Sequence, residues 1–410
     1  MADRRRAWLG WMMLAAGGVA GAAEPDWDRL NKAATPLAAL QSASSWVPAD
    51  PVVSTRLAQE IAQLHAAAGE PARALAAFPF GAGGMKAVPA VDSLDALGPE
   101  FRCQPAVPVI STLAAGSRFV FVNEAHHVPQ TRLLTFALLA DLRAQGFTYF
   151  ALEALKEPGA ALSARGHPTR ASGTYLQEPV FGELVREALR LGYRLVAYEQ
   201  QGSGDMEARE ATQARQLWER TLGTDPNARV LVHAGYAHVD LAVGRLWEVL
   251  PLAGRIAAQM PPGGGVSIDQ VDLRHDPKGR EHPRYRALLA AFPSIGPQAC
   301  MSGEAPWALD TKRNTLSIVL PDPGPDERSD WLTLGGIRRV IAAPALCGGA
   351  LPCLIEARYV HEGEDAVPAD RCVQRDPIRC RLYLRPGDYR LRASDARGAP
   401  LHDFAVRISG

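Results

Sequence analysis

Acidic and histidine side chains follow short apolar runs of this sequence, at positions where their chemistry could be combined. Glu124 and His126 come directly after the run 118–123 (RFVFVN), and Glu153 closes the next run, 148–153 (TYFALE). A carboxylate beside an imidazole can orient the ring as a general base toward water. The spacing therefore indicates hydrolytic chemistry, provided that the two runs are neighbouring strands.

Two later runs end in the same kinds of residue. Glu199 closes the run 194–199 (RLVAYE), and the run 229–233 (RVLVH) leads into His238. Charged groups are rarely buried unless they are paired, so ionisable residues at the ends of apolar strands call for a structural or functional reason. Their recurrence at four successive strand ends favours a functional one.

The elements that position these residues are predicted from the hydrophobic pattern. Apolar runs alternate with helical patterns from about residue 109 to 320, which predicts an α/β fold with a mostly parallel sheet and helices on both faces. The strand-like runs are 118–123, 148–153, 194–199, 229–233, 266–273 and 316–320, and the helical patterns are 131–145, 179–191, 207–222, 241–250 and 283–292. Ligands of such folds bind beyond the carboxyl ends of the strands.

The leading hypothesis is metal-independent hydrolysis of an ester- or amide-type bond. Glu124 and His126 would hold a water molecule, and Glu153 would raise the basicity of His126. Arg209, which begins a predicted helix, and His238 would stabilise the charge that develops on the substrate oxygen. No G-x-S-x-G nucleophile elbow occurs, which argues against a serine hydrolase.

Structural interpretations of single residues stand beside this hypothesis. Glu124 would cap the following helix, and His127 would point away from the site. His233 lies inside an apolar run, which is more typical of a core histidine than of a ligand. The possible charged pairs are Glu199 with Arg194 or Arg209, and Arg209 with Glu207 or Glu210.

A second hypothesis is a divalent metal site. His126, His238 and one or two of Glu124, Glu153 and Glu199 would form a set of two histidines and a carboxylate. No H-E-x-x-H motif supports it, so His126, His238 and Glu124 are only candidate ligands.

The order of motifs over about residues 115–275 resembles that of the erythromycin esterase-like and ChaN-like superfamily, which includes the TraB/TIKI proteins. The matching segments are Asn123-Glu124-Ala125-His126, Ala151-Leu152-Glu153-Ala154-Leu155, Gly173-Thr174-Tyr175, Tyr198-Glu199, Arg209-Glu210-Ala211 and Gly235-Tyr236-Ala237-His238. The resemblance implies a pocket lined by Glu124, His126, Glu153, Arg209 and His238. We assign Tyr175, Glu199 and Tyr236 to substrate binding.

The branches of this superfamily imply different activities. The esterase branch implies a histidine base acting on water, without a required cofactor. The ChaN branch implies a haem-binding protein with Tyr175, Tyr236 or the two histidines as axial ligands, and the TIKI branch implies a metal-dependent peptidase. Asn123 stands where the family has glycine, which leaves the placement of Glu124 open.

The ends of the chain predict its compartment and its domains. Arg4-Arg5-Arg6, a short apolar run and Ala20-Gly21-Ala22 are typical of a cleaved signal peptide of the general secretory or twin-arginine type. The protein is therefore expected to be periplasmic or secreted. The predicted segments are a signal peptide (1–23), a helical preface and connector (24–108), the α/β domain (109–335) and a β module (336–410).

Six cysteines form an even set, which in an exported chain predicts disulfides. Their spacing favours Cys347–Cys353 and Cys372–Cys380, leaving Cys103 for Cys300; a zinc site of the four late cysteines is the alternative. Lys plus Arg and Asp plus Glu balance at 44 each, so no net charge attracts nucleic acid or an anionic membrane. The expected partner is a small-molecule or peptide ligand.

The substrate is not defined by these motifs. The segment 156–170 between Glu153 and Tyr175 is expected to overhang the pocket. It carries Arg165, His167 and Arg170, which weakly favours an anionic group on the ligand. No Walker A motif is present, which argues against a nucleotide.

Overall fold

The computed structural model describes residues 24–81, 94, 97–199, 205–324 and 326–409. The predicted signal peptide lies outside these residues and stays a prediction. Within the described ranges, no helix combines the length and the apolar character that crossing a bilayer requires.

Among the residues described ahead of the sheet there are four helices: α1 (Trp27–Asn31), α2 (Pro36–Ala43), α3 (Pro51–Ala67) and α4 (Pro71–Ala77). The Thr35 and Asp50 side chains accept hydrogen bonds from the first turns of α2 and α3, and a proline occupies the first turn of each. These helices form the predicted helical preface, with a turn between the end of α3 and the start of α4.

The central sheet contains nine strands: β1 (Phe101–Pro105), β2 (Phe119–Glu124), β3 (Tyr149–Leu152), β4 (Arg194–Ala197), β5 (Val230–Gly235), β6 (Gly265–Asp269), β7 (Gln298–Ser302), β8 (Ala305–Pro306) and β9 (Leu316–Val319). Their order is β1-β7-β9-β6-β2-β5-β3-β4, with β8 paired to β7. All neighbours from β9 to β4 are parallel, whereas β1, β7 and β8 pair in antiparallel fashion. The mostly parallel sheet is confirmed.

Seven further helices belong to this domain: α5 (Ala106–Ala114), α6 (Leu133–Ala144), α7 (Gly159–Arg165), α8 (Pro179–Arg190), α9 (Met206–Arg220), α10 (Leu252–Ala257) and α11 (Pro283–Ala291). Successive strand residues point to opposite faces. Val120 and Leu231 pack under α5, α6 and α8, whereas Phe121 and Val232 pack under α9 and α10. Both faces are therefore covered, as the uninterrupted apolar strands predict.

The C-terminal residues form a separate antiparallel module, as predicted. Its strands are β10 (Arg339–Ala342), β11 (Cys353–Tyr359), β12 (Asp370–Gln374), β13 (Arg381–Leu384), β14 (Gly387–Asp395) and β15 (Pro400–Ile408). They form a β10-β13 pair and a sheet of order β12-β11-β14-β15. Arg371 on β12 donates to the carbonyl oxygens of Ala67 at 2.9 Å and Gln177 at 2.8 Å. Through Arg371, the module is hydrogen-bonded both to the end of α3 and to the α/β domain at Gln177.

The prediction of a helix over residues 241–250 is wrong. This segment consists of turns, with a bridge between Gly244 and Trp247, and the helix begins only at Leu252. The buried carboxylates of Asp240 and Asp269 hold Arg245, through a 2.8 Å contact from its Nε and a 3.0 Å contact from its Nη1 respectively. Long-range charge pairing thus overrides the local apolar periodicity.

All three predicted disulfides are confirmed: Cys103–Cys300, Cys347–Cys353 and Cys372–Cys380. Cys103 lies directly opposite Cys300 in the β1–β7 register, in a stretch for which only a connector was predicted. Three disulfides are typical of proteins that reside in an oxidising compartment.

Candidate active site

The ends of three neighbouring strands bring the predicted site residues together. β5 lies between β2 and β3, with Glu124 opposite Gly235 and Leu152 opposite His233. Glu153 therefore follows β3 at the level where β2 ends. A single 3-10 turn, Tyr236–Val239, continues β5 and carries His238.

Glu124, which is buried, and His126, which is partly buried, form a pair that is anchored by an arginine. The Nδ1 of His126 lies 2.9 Å from Glu124 Oε1, and Nη2 of Arg132 lies 2.8 Å from Glu124 Oε2. Burial would raise the pKa of Glu124, but the Arg132 guanidinium, with hydrogen bonds from His126 and His233, holds it well below its usual range. Because an ionised carboxylate only accepts hydrogen bonds, Nδ1 of His126 carries a proton. Its Nε2 is then the nitrogen that can act as a base when the ring is neutral.

Aromatic rings and a glycine fix the His126 ring. Tyr175 stacks on it with ring centroids 3.8 Å apart, and Tyr236 approaches its edge at 5.0 Å. Gly235 has φ −73° and ψ 139°, which any residue can adopt. A Cβ there would nevertheless lie 2.6 Å from His126 Nε2 and still closer to Cε1. Gly235 is required by the close approach of the imidazole, not by its backbone conformation.

Replacing Gly235 by alanine is therefore expected to displace His126. We expect kcat/KM to fall about 100-fold, as for a misplacement of about 1 Å, and the free energy of unfolding to fall by about 1–3 kcal/mol. The matched control is Gly116→Ala, because a Cβ at Gly116 meets no atom within 4 Å. Turnover assays and denaturant titrations measure both effects, and equal behaviour of the two variants would contradict the steric argument.

Glu153 is the centre of a second charged group. Its Oε1 lies 2.9 Å from Nη2 of Arg209 and 3.3 Å from Nε2 of His238, and its Oε2 accepts the backbone N–H of Gly235. Burial would raise the pKa of Glu153, but His238, His126 and Arg209 together with that N–H lower it to about 2. Glu153 is therefore a carboxylate at neutral pH.

His238 lies between two carboxylates. Its Nε2 faces Glu153, and its Nδ1 lies 2.6 Å from Glu210 Oε1. Burial would lower the pKa of His238, but Glu153 and Glu210 raise it above 6.5. Glu210 Oε2 in turn accepts the backbone N–H of Leu252 at 2.7 Å. Glu210 was predicted only as a surface partner of Arg209, and this prediction is wrong because the side chain is fully buried.

The raised pKa of His238 predicts how stability changes with pH. The folded state holds this proton more tightly than the unfolded chain, so the contribution is complete below about pH 6.5 and is lost as the pH rises through the folded pKa. His238→Gln is expected to lose less stability than the wild type between pH 6.5 and 9. Denaturant titrations across this range measure the slopes. The control His402→Gln, at an exposed histidine, should keep the wild-type slope; a similarly steep slope in His238→Gln would refute the assignment.

The remaining predicted residues have defined places around this site. Arg209 pairs with Glu199 through its Nη2 at 2.7 Å, and Gln213 donates to Glu199 at 2.7 Å, so Glu199 supports Arg209. His233 is a core histidine whose Nδ1 contacts the Thr135 hydroxyl at 3.0 Å, while its Nε2 lies 3.5 Å from Glu124 Oε2. The structural interpretations of Glu199 and His233 thus hold.

His127 also has a structural place. It is buried, stacks on Phe78 with centroids 3.6 Å apart, and contacts the Tyr236 hydroxyl at 3.2 Å. Tyr236 itself has φ +45°, a left-handed conformation that costs a non-glycine residue free energy. This conformation directs the ring toward His126 and His127.

Asn123 needs no glycine-like freedom. It lies within β2, outside the residues of the described chain that have positive φ. Its side chain donates to Asp269 Oδ1 at 2.5 Å and accepts the backbone N–H of Gln270 at 2.8 Å. These contacts fix the strand just before Glu124, whose carboxylate is held by His126 and Arg132.

A cavity of about 400 Å³ reaches the site from the side of the N-terminal helices. Of the eight predicted site residues, His126 and Tyr175 line it. Glu153 and His238 are buried and do not line it, and the side chain of Arg209, which is 30% exposed, does not line it either. The segment predicted to overhang the pocket contributes Arg170, while its Arg165 is paired with Glu157. A larger cavity of about 1150 Å³ beside α6 is lined by none of the predicted site residues.

The suggested metal and haem ligands are engaged by protein groups. Both ring nitrogens of His238 face carboxylates, and the Tyr236 hydroxyl contacts His127. In the described part of the chain, no group of three or more His, Cys, Asp or Glu side chains has the arrangement of a metal site. While they make these contacts, Tyr236 and His238 do not fit the role of axial haem ligands. Each buried carboxylate of the site already has a cationic partner in the protein, which takes the place that a metal ion would have.

No protein-family model and no curated protein sequence matches this chain. Among solved structures, it is similar to the type III effector HopBA1, with 13% identity and a TM-score of 0.34 over 55% of this chain and 99% of the effector. It is also similar to two structures of bacterial protein toxins. The first has 14% identity and a TM-score of 0.31 over 54% of this chain, and the second has 17% identity and a TM-score of 0.29 over 50% of this chain. The matches span 46% and 44% of the toxin chains. Likeness of this degree carries no information about activity.

Proposed function

We propose that this chain is an exported hydrolase of the erythromycin esterase-like and ChaN-like superfamily, which activates water on an ester- or amide-type bond. The observation that carries the proposal is the Glu124–His126 pair, buried on the Glu124 side and open to a cavity on the His126 side. The three disulfides support export.

In the proposed reaction, Nε2 of His126 takes a proton from water as the oxygen attacks the substrate carbonyl. Glu124 stabilises the imidazolium that forms, and the same proton then passes to the leaving oxygen or nitrogen. The bond between the carbonyl carbon and the leaving oxygen or nitrogen breaks as that atom takes the proton. The products are an acid and an alcohol or amine, and His126 is again neutral.

The proposed roles of the surrounding residues follow their contacts. Arg209 and His238 each face two carboxylates, so we assign them to positioning Glu153 and not to binding the oxyanion. Tyr175 lines the cavity, and burial together with Glu153 and Glu124 raises its pKa well above the usual range. Its hydroxyl therefore stays protonated and is assigned as the donor to the substrate oxygen.

The proposal is tested with the purified chain and a panel of chromogenic esters and amides. Hydrolysis that is unaffected by a chelator and abolished in His126→Asn supports it, whereas a panel with no turnover above His126→Asn rejects it. Metal dependence and haem binding stay predictions of the alternative branches. Activity restored by an added divalent ion after chelation, or a Soret band on haem titration, would favour one of them.

A further inference from the structure

The cavity beside His126 has two kinds of wall. α1, α2 and α3 form one side, the residues 170–178 form the other, and His126 also lines the cavity. A volume of about 400 Å³ lies within the range of small-molecule sites. A ligand in this cavity touches His126, so the other lining groups define what that ligand carries.

Most of the charged groups that line the cavity are already satisfied. Glu178 accepts the backbone N–H groups of Val180 and Phe181 and pairs with Arg132 at 3.1 Å. Arg371 pairs with Glu356 at 2.7 Å. His126 pairs with Glu124. Glu178 and Arg371 therefore have little capacity left for a ligand, whereas His126 uses only its Nδ1 in its pair with Glu124.

Glu60 differs from them. It lies on α3, is partly buried, and has no hydrogen bond or ion pair to any part of the chain that the structure describes. The nearest cation along the helix, Arg56, lies over the ring of Trp27, 4.4 Å from its centroid. Burial raises the pKa of Glu60, which Arg56 only partly opposes. Because Glu60 lines the cavity and is only partly withdrawn from water, its carboxylate is placed to pair with a cation that enters the cavity.

The cavity attracts an anionic ligand less strongly than a cationic one. Arg170 lines the rim, but its side chain is exposed to solvent, so water and salt screen its attraction for an anion. The Tyr175 ring adds a face and a hydroxyl that can contact an ammonium group. The balance inside the cavity therefore favours a positively charged ligand over the anionic one that the sequence weakly indicated.

We propose that this cavity binds a ligand with an ammonium or guanidinium group, which pairs with Glu60 while the neighbouring carbonyl lies against His126. The identity of the ligand as a hydrolysed substrate rests on the proposed function. Binding of the cation does not, because it requires only the cavity and Glu60.

The test measures binding without turnover. Three methyl ketones are titrated by NMR into the full chain: one ends in a trimethylammonium group, one in the isosteric tert-butyl group, and one in a sulfonate. We expect the cationic ketone to bind roughly tenfold more tightly than its neutral isostere, as for a hydrogen-bonded or close charge pair. Equal affinities, or tightest binding of the sulfonate, would overturn the proposal.

Two variants locate the charge. Glu60→Gln is expected to abolish the preference for the cation and leave the thermal midpoint unchanged or higher, since Glu60 has no partner to lose. Glu219→Gln, at an exposed glutamate, should keep the preference. The preference should also persist in His126→Asn. If it persists while no hydrolysis is found, the proposed function fails alone; if hydrolysis is found without it, this inference fails alone.

Discussion

Replacing His126 by asparagine is expected to lower kcat/KM for any hydrolysed ester or amide by about 10²–10⁴-fold, the contribution typical of a general base. The asparagine amide can still donate to Glu124 in place of Nδ1, so the buried carboxylate keeps a partner. It has no basic nitrogen at the position of Nε2. The loss should therefore appear in kcat, with KM little changed, and thermal melting should confirm the fold.

The adjacent histidine provides the matched control for this variant. His127 is buried against Phe78 and does not line the cavity. His127→Asn is expected to lower the thermal midpoint, because it removes a stacked ring, while kcat per folded molecule changes less than tenfold. If His127→Asn abolishes turnover and His126→Asn does not, the assignment of the base to His126 is wrong.

The centre of the site was predictable because parallel strands of one sheet end at the same edge. Glu124, Glu153 and His238 are far apart in sequence, yet β2, β5 and β3 are direct neighbours. Sequence periodicity is enough to predict such strands, and their last residues are the candidate site residues. Cys103 and Cys300 were paired by elimination instead, since the short spacings of the other four cysteines left them for each other.

The groups that compensate the buried charges were not predictable in the same way. Arg132 is a single basic residue near the start of a helical pattern, and nothing in the sequence shows that it is fully buried on Glu124. For Glu210 a signal existed. It shares the buried face of α9 with Gln213, Ala214 and Leu217, at the helical spacing of three, four and seven residues. A charged residue on that face indicates a buried partner, which is His238.

Replacing Arg132 by methionine is expected to lower the free energy of unfolding by about 3–5 kcal/mol at neutral pH, as for other broken buried ion pairs. Methionine retains much of the apolar volume but neither guanidinium contact. The side-chain exposures of Arg132 and Glu124 are 0% and 2%, so water cannot replace the lost partner. Glu178, 3.1 Å from the other guanidinium nitrogen, loses the same cation. Denaturant titration measures the change.

The pH dependence distinguishes this electrostatic effect from a packing effect. Arg132 is the strongest of the groups that lower the pKa of Glu124 against burial, so without it the folded state takes up a proton more readily. The deficit of Arg132→Met should therefore shrink as the pH falls from 8 to 5, whereas a cavity would cost the same at both. Arg215→Met removes an exposed pair with Glu219 and should cost less than about 1 kcal/mol. A pH-independent deficit would show that Arg132 acts by packing, and the carboxylate state of Glu124 would then need another source.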